Sequence, residues 1–236
     1  MAEKEPKAKE KRQFVRFAAY RVDPAWRRLP QQERDASRKE FLAALEEVRA
    51  TLILRTYSCL GTRGDFDFLL WLISDRLEAF QDFQARLLKT GLGKYLTLPH
   101  SYLGMTKRSI YVDKHVHEGQ EGVRLTVKPG EAKYLFVYPF VKTRDWYRLT
   151  RSARQGMMDE HIAVGHRYPS VKLNTTYSFG LDDQEFIVAF ESDVPADFLD
   201  LVMELRETEA SRYTLRDTPI LAGIAVPAET MLDLLG

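Results

Sequence analysis

The sequence predicts an α+β fold: two fused ferredoxin-like repeats whose sheets close into a dimeric α+β barrel. Three observations carry this. Segments recur at a spacing of 120 residues, so that Trp26 returns as Trp146 and Tyr57-Ser58 as Tyr177-Ser178. Each copy alternates aromatic-rich runs with segments of helical periodicity in the order strand, helix, strand, strand, helix, strand, the split β-α-β arrangement. A four-stranded sheet with helices on one face leaves its other face bare, and packing the two bare faces together closes a barrel.

The elements follow in order. Residues 14–22 (FVRFAAYRV) and 134–142 (YLFVYPFVK) are rich in aromatic and β-branched types and read as strands. Residues 31–50 and 151–165 place apolar side chains at helical spacing, Phe41, Leu42, Leu45 and Val48 in the first copy and Met157, Met158, Ile162 and Val164 in the second. The pairs 52–60/66–73 and 171–179/184–191 are joined by GTRGD and GLDD, which are hairpin signals, and Asp182-Asp183 reads as part of that turn. Helices are expected at 76–89 and 195–209, and final strands at 101–105 and 220–226. The domain organisation is therefore a Lys/Glu-rich tail (1–13) read as disordered, a first repeat (14–105), a polar connector (106–130) and a second repeat (131–236).

Composition narrows the function. The 236 residues carry 35 basic and 34 acidic side chains, a net charge of +1, so no global basic field is present to hold nucleic acid. A single cysteine, Cys59, excludes an internal disulfide framework and a Cys-rich zinc site. No apolar run reaches the length of a membrane span, and the charged tail lacks the apolar segment of a secretory signal, so a cytoplasmic location is expected. Nucleotide-binding glycine loops and the HExxH and GxSxG motifs are absent.

The duplication lets one copy serve as a control for the other. His161 stands where the first copy has Phe41, on the apolar helix face. It reads either as a core histidine satisfied by one hydrogen bond or as an axial ligand to a flat apolar cofactor such as haem. His166, five residues on, falls off that face. His115 and His117 form an HxH on the connector, a weak zinc signal. Tyr138, Phe140 and Lys142 alternate and share one sheet face, whereas their counterparts Ala18, Tyr20 and Val22 are uncharged. Lys142 would either reach out along the strand end or meet an anionic ligand group, and Tyr138 would either pack or face a cofactor with its hydroxyl.

With those residues in view, the second repeat resembles the chlorite dismutase family of haem proteins over nearly all of residues 134–223. The carrying segments are YPFVKTRDWYRL, MMDEHIAVGHRYPSVKLNTTYSFGLDDQEFIVAFES and LRETEASRY. The first repeat resembles the family's haem-free domain more loosely. The resemblance implies a two-copy barrel assembled into homo-oligomeric rings, commonly pentamers, and makes His161 the axial ligand to haem iron. Leu173, counted back from GLDD, falls where the chlorite-degrading members carry an arginine, which disfavours chlorite breakdown. Asn174 is the polar residue nearest that position.

The pattern resembles more closely the coproheme decarboxylases of the family, the actinobacterial type in particular. That likeness implies conversion of iron coproporphyrin III to haem b with hydrogen peroxide as oxidant. It makes Tyr138 the radical-forming residue, Lys142 the partner of a propionate, Trp146 and Leu173 substrate contacts, and His115 (alternatively His117) the distal base. Glu209 is a candidate acceptor for the second ring nitrogen of His161. The alternatives are a haem peroxidase, a weak chlorite-degrading enzyme or a non-catalytic haem-binding protein.

Overall fold

The computed structural model describes residues 11–111 and 125–236. His115 and His117 lie outside the described residues. The first repeat runs β1 (Phe14–Val22), α1 (Pro24–Arg27), α2 (Gln31–Val48), β2 (Ile53–Ser58), β3 (Phe68–Ser74), α3 (Glu78–Lys89) and β4 (Leu96–Met105). The second runs β5 (Tyr134–Lys142), α4 (Arg144–Arg148), α5 (Arg151–Gly165), β6 (Val171–Tyr177), β7 (Phe186–Ser192), α6 (Pro195–Glu207), β8 (Thr214–Arg216), β9 (Leu221–Ala225) and α7 (Ala228–Asp233). Helix starts use local caps: Asp23 accepts from the Ala25 amide before α1, and Thr150 accepts from the Ala153 amide before α5.

Strand order confirms the duplication. The first repeat is ordered β4–β1–β3–β2 and the second β9–β5–β7–β6, the same order in both. Two seams join them. Met105 of β4 pairs with Tyr177 of β6, and Tyr57 of β2 pairs with Ala225 of β9. These two pairings are related by the same 120-residue shift. With β5 also paired to β7, the eight strands form a closed barrel, and the short β8 adds to the end of β5.

Side chains alternate between the lumen and the helical layer. Val15, Phe17, Ala19, Trp71, Leu135, Val137, Ile187 and Ala189 fill the lumen, with Phe17 stacked on Trp71 at 5.0 Å between ring centroids. The opposite face of the first sheet packs Trp26, Phe41, Leu45, Phe68 and Phe83 beneath α2 and α3. Gln13, assigned to the tail by the sequence, is built into the fold: its amide donates to Thr106 Oγ1 at 2.8 Å and its Oε1 accepts from the Val127 amide at 2.6 Å.

The exit from each repeat covers the other. After β9 the chain turns into α7, whose Met231 and Leu232, with Leu235 beyond, join the apolar cluster of the first repeat around Trp26. Arg27 Nε donates to the Leu235 carbonyl at 2.9 Å. After β4 the corresponding stretch, residues 106–111, runs beside Trp146 of the second repeat, where Tyr111 approaches the indole at 6.4 Å.

Candidate functional site

The two repeats differ most between the helix that carries Phe41 or His161 and the sheet beneath it. In α2, Ser37, Phe41, Ala44, Leu45 and Val48 are buried. In α5 only Val164 is. The sheet below α5 presents Phe136, Tyr138, Phe140, Val188, Phe190 and Val171 on its helix-facing side, several of them only partly buried. The second repeat thus keeps an aromatic wall and a helix that are less tightly joined than their counterparts.

His161 lies on this helix with its Nδ1 buried and without a hydrogen-bond partner. Burial, reinforced by the nearby Lys142 charge, lowers its pKa from 6.5 to about 4, so the imidazole is neutral at pH 7. A core histidine would be satisfied by a hydrogen bond, and this one is not. Glu209 does not satisfy it. Helix α6 ends at Glu207, Thr208 is extended, and Glu209 opens a short 3-10 turn in which its carboxylate approaches Arg212 at 3.6 Å, exposed.

Lys142 ends β5 on the same face as Tyr138 and Phe140. It is 8% exposed, so it does not reach out to solvent, and among the described residues no carboxylate forms an ion pair with its ammonium. Its Nζ donates to the Ala210 carbonyl at 2.6 Å and sits 4.7 Å from the Trp146 ring and 5.2 Å from the Phe140 ring. Desolvation lowers its pKa from 10.5 to about 8. Trp146 is buried and also faces Tyr213 at 5.7 Å. In the first repeat the Trp26 indole donates to Ser37 Oγ at 3.0 Å. Met157 stands at the position of Ser37, and the Trp146 N–H has no acceptor among the described residues.

Tyr138 replaces Ala18 on the sheet face. It is 7% exposed and stacks on Phe190 at 6.0 Å. No described residue hydrogen-bonds its hydroxyl, and burial raises its pKa, so it stays a neutral phenol. Leu173 shares the helix-facing side of β6 with Val171, opposite Phe190, and is half-exposed. Asn174 does not offer a polar group there: it faces the other side of the sheet and donates to Glu191 Oε2 at 2.8 Å.

One structural group escaped the sequence reading. Glu185 Oε2 accepts from the Lys142 amide at 2.8 Å and from the Tyr147 hydroxyl at 2.5 Å. Asp67 does the same in the first repeat, accepting from the Val22 amide at 2.7 Å beside Arg27. The 118-residue offset between these acids was the available signal. The bracket fixes the end of β5 and therefore the direction of Lys142.

The set comprises a neutral, unpartnered imidazole facing an aromatic wall, a phenol within that wall, and an ammonium and an indole N–H at its end. This donor set suits a flat apolar ring that takes an axial nitrogen ligand and carries anionic groups at its edge. Among the described residues no cluster of three metal-ligating side chains occurs.

The family model described as chlorite dismutase matches residues 9–226. The chain belongs to the chlorite dismutase family. It is 30% identical over 188 residues to a coproheme decarboxylase from Mycolicibacterium smegmatis, covering 79% of each chain. It is 27% identical over 226 residues to a chlorite dismutase from Ideonella dechloratans, covering 94% of this chain and 79% of that one. A mutant chlorite dismutase from Candidatus Nitrospira defluvii superposes with a TM-score of 0.86 at 28% identity, covering 94% of both chains. No described helix is long and apolar enough to cross a membrane.

Proposed function

We propose that this member of the chlorite dismutase family is a coproheme decarboxylase, which converts iron coproporphyrin III to haem b with hydrogen peroxide. The observation that carries the reading is the placement of Tyr138: a buried neutral phenol with no hydrogen-bond partner among the described residues, on the same sheet face as Lys142 and in the cluster that Val164 of the His161 helix joins. Its counterpart is an alanine, so the fold does not require a phenol there. The 30% identity to the mycobacterial coproheme decarboxylase supports the same reading.

The iron porphyrin, together with peroxide, supplies the oxidising power. Each of the two propionate side chains that react becomes a vinyl group by losing carbon dioxide and the equivalent of a hydride, while one peroxide and one proton become two waters. The protein's residues bind, orient and relay. His161 offers Nε2 to iron as a neutral base. Tyr138 passes a hydrogen atom from the propionate chain toward the oxidant and returns to a phenol, and the sheet wall keeps its hydroxyl dry. Lys142 holds a propionate carboxylate as an ion pair, with Trp146 beside it as a second donor. Leu173 keeps its side of the pocket apolar, without the cation that a chlorite-derived anion calls for. His115 on the connector, with His117 as the alternative, is assigned the proton of bound peroxide. A cytoplasmic homo-oligomer, a pentameric ring, belongs to the same proposal.

The test is direct. Ferric coproporphyrin III is mixed with the purified protein, peroxide is titrated in, and the porphyrin is followed by absorbance and mass spectrometry. Two successive decarboxylations are expected. Binding followed by bleaching, with all four carboxylates retained, overturns the reading in favour of a peroxidase or a carrier.

A further inference from the structure

The bracket at the end of β5 is closed by a phenol. Tyr147 Oη donates to Glu185 Oε2 at 2.5 Å, and the same oxygen accepts from the Lys142 amide at 2.8 Å. Glu185 is 9% exposed. Burial, then the hydrogen bond to Glu185, raise the Tyr147 pKa, so the resting group is a protonated phenol. Tyr147 is itself half-buried. With Trp146 and Phe179 it lines a cleft of about 340 Å³, and it meets the Phe179 ring edge-on at 6.0 Å.

The first repeat shows that the fold does not need a phenol here. Asp67 makes the same two backbone contacts as Glu185. Its carboxylate accepts from the Val22 amide at 2.7 Å, and its own amide donates to the Tyr20 carbonyl at 2.8 Å, as the Glu185 amide donates to the Phe140 carbonyl at 3.2 Å. The third partner differs. Tyr147 stands 120 residues after Arg27, whose Nη2 lies 3.5 Å from Asp67 Oδ1. An ion pair in one repeat is a phenol–carboxylate hydrogen bond in the other. Tyr138 supplies a second contrast, because no described residue hydrogen-bonds its hydroxyl. Losing an electron turns a phenol into a strong acid, so its proton must leave with the electron. Tyr147 has a base in place for that proton, and Tyr138 has none among the described residues. Trp146 is a poor resting place for a positive hole, because Lys142 Nζ lies 4.7 Å from its ring and repels a cationic indole.

We infer that Tyr147 and Glu185 form a redox pair, a proton-coupled outlet through which one-electron oxidising equivalents leave the pocket for a half-buried phenol. The pair deepens the proposed function and rests on it for the oxidant, which is peroxide acting at the porphyrin iron. In the step, Tyr147 gives one electron to the oxidant and the proton of its O–H bond to Glu185 Oε2. The products are a neutral phenoxyl radical, a neutral carboxylic acid and the oxidant reduced by one electron. A small donor in solution such as ascorbate, itself oxidised to its radical, returns the electron, and Glu185 returns the proton. The two phenols thus divide the work. Tyr138, without a base, exchanges a hydrogen atom with the ligand. Tyr147 drains the oxidising power that the propionate does not take, before it reaches the porphyrin ring.

The test starts from full-length Tyr138→Phe, which removes the other phenol of the site. The variant is loaded with ferric coproporphyrin III, mixed with peroxide and freeze-quenched for electron paramagnetic resonance. A phenoxyl radical is expected, and ascorbate should quench it. Adding Tyr147→Arg, which restores the ion pair of the first repeat and so keeps the bracket, should remove the radical. Tyr147→Phe takes its place if that protein does not fold. Adding Glu185→Gln instead leaves an acceptor oxygen for the hydroxyl but no base, and should slow radical formation about a hundredfold. An undiminished radical after loss of Tyr147, an unchanged rate in Glu185→Gln, or no phenoxyl radical in the loaded protein overturns the pair. If Tyr138→Phe does not hold the porphyrin, the same variants are oxidised without it by hexachloroiridate(IV), a soluble one-electron oxidant, and the phenoxyl absorbance decides by the same criteria. A radical that depends on Tyr147 and Glu185, in a protein whose wild type leaves all four carboxylates intact, would refute the decarboxylase and leave the pair standing.

Discussion

His161 and Phe41 occupy one position in two copies of the same helix, 120 residues apart. Phe41 is fully buried and meets Phe68 edge-on at 6.0 Å. His161 keeps a buried Nδ1 with nothing to bond. The fold tolerates an aromatic ring there at no polar cost. The imidazole is therefore a local instability found in the second copy alone, as the proposed ligand role calls for.

His161→Phe follows from that relationship. An unpaired buried nitrogen costs about 1–3 kcal/mol, so the apoprotein should gain stability and melt a few degrees higher. The same variant should bind ferric coproporphyrin III without the absorbance signature of a nitrogen axial ligand. A lower melting temperature together with an unchanged spectrum would remove His161 from the role of ligand.

The imidazole also sets a pH dependence. Its folded pKa of about 4 lies below the ordinary histidine value of 6.5. Between those values the unfolded chain binds the extra proton, so stability rises with pH across the window and falls on acidification from about 6.5 toward 4. Urea denaturation at a series of pH values should show this slope in the wild type and a shallower one in His161→Phe. Equal slopes would contradict the assignment.

Tyr138→Phe should bind iron coproporphyrin III with little change in affinity, because only a free hydroxyl is lost. Decarboxylation should fall by at least a hundredfold if the hydroxyl relays the hydrogen atom, a factor of the kind lost with a positioned proton-transfer group. Mass spectrometry of the porphyrin after peroxide addition measures it. Turnover at the wild-type rate would take Tyr138 out of the reaction.

Lys142 predicts a second pH effect, in binding. Its free pKa of about 8 leaves it charged at neutral pH and increasingly neutral above. Affinity for metal-free coproporphyrin III should hold up to about pH 8 and decline as the pH rises further, since only the ammonium pairs with a carboxylate. Lys142→Met should bind more weakly and lose that decline. A wild-type profile level to pH 10 would argue against the pairing.

Glu185→Ala and Asp67→Ala test the duplicated bracket. Each removes a carboxylate that accepts from the last amide of a barrel strand. Each should cost about 2 kcal/mol. Only Glu185→Ala should also weaken porphyrin binding, because only β5 ends in the lysine that the proposal assigns to a propionate. Equal binding by both variants would separate the bracket from the site.

Much of this was legible in the residues because the chain is written twice. The order of strands and the comparisons Phe41/His161, Ala18/Tyr138 and Val22/Lys142 needed nothing beyond the 120-residue shift. Strand β4 was expected over 101–105 and begins at Leu96. Its first half alternates exposed and partly buried residues through Pro99 and His100, which read as loop. The expected helix over 195–209 stops at Glu207, and Glu209 opens the 3-10 turn that follows, its amide donating to Glu160 Oε2 at 3.2 Å. The brackets of Glu185 and Asp67 act on backbone amides, which leave no trace in side-chain patterns.

The exchange of chain ends between the repeats bears on how such a molecule is inherited and cut. Helix α7 leaves the second repeat to seal the first, and the stretch after β4 leaves the first to border the pocket of the second. Severing the chain in the connector would give two pieces, each missing the cover the other carries. They would be expected to recover structure by reassociating rather than by folding apart. The unit that folds is therefore the interlocked pair, in which each repeat carries part of the other's cover.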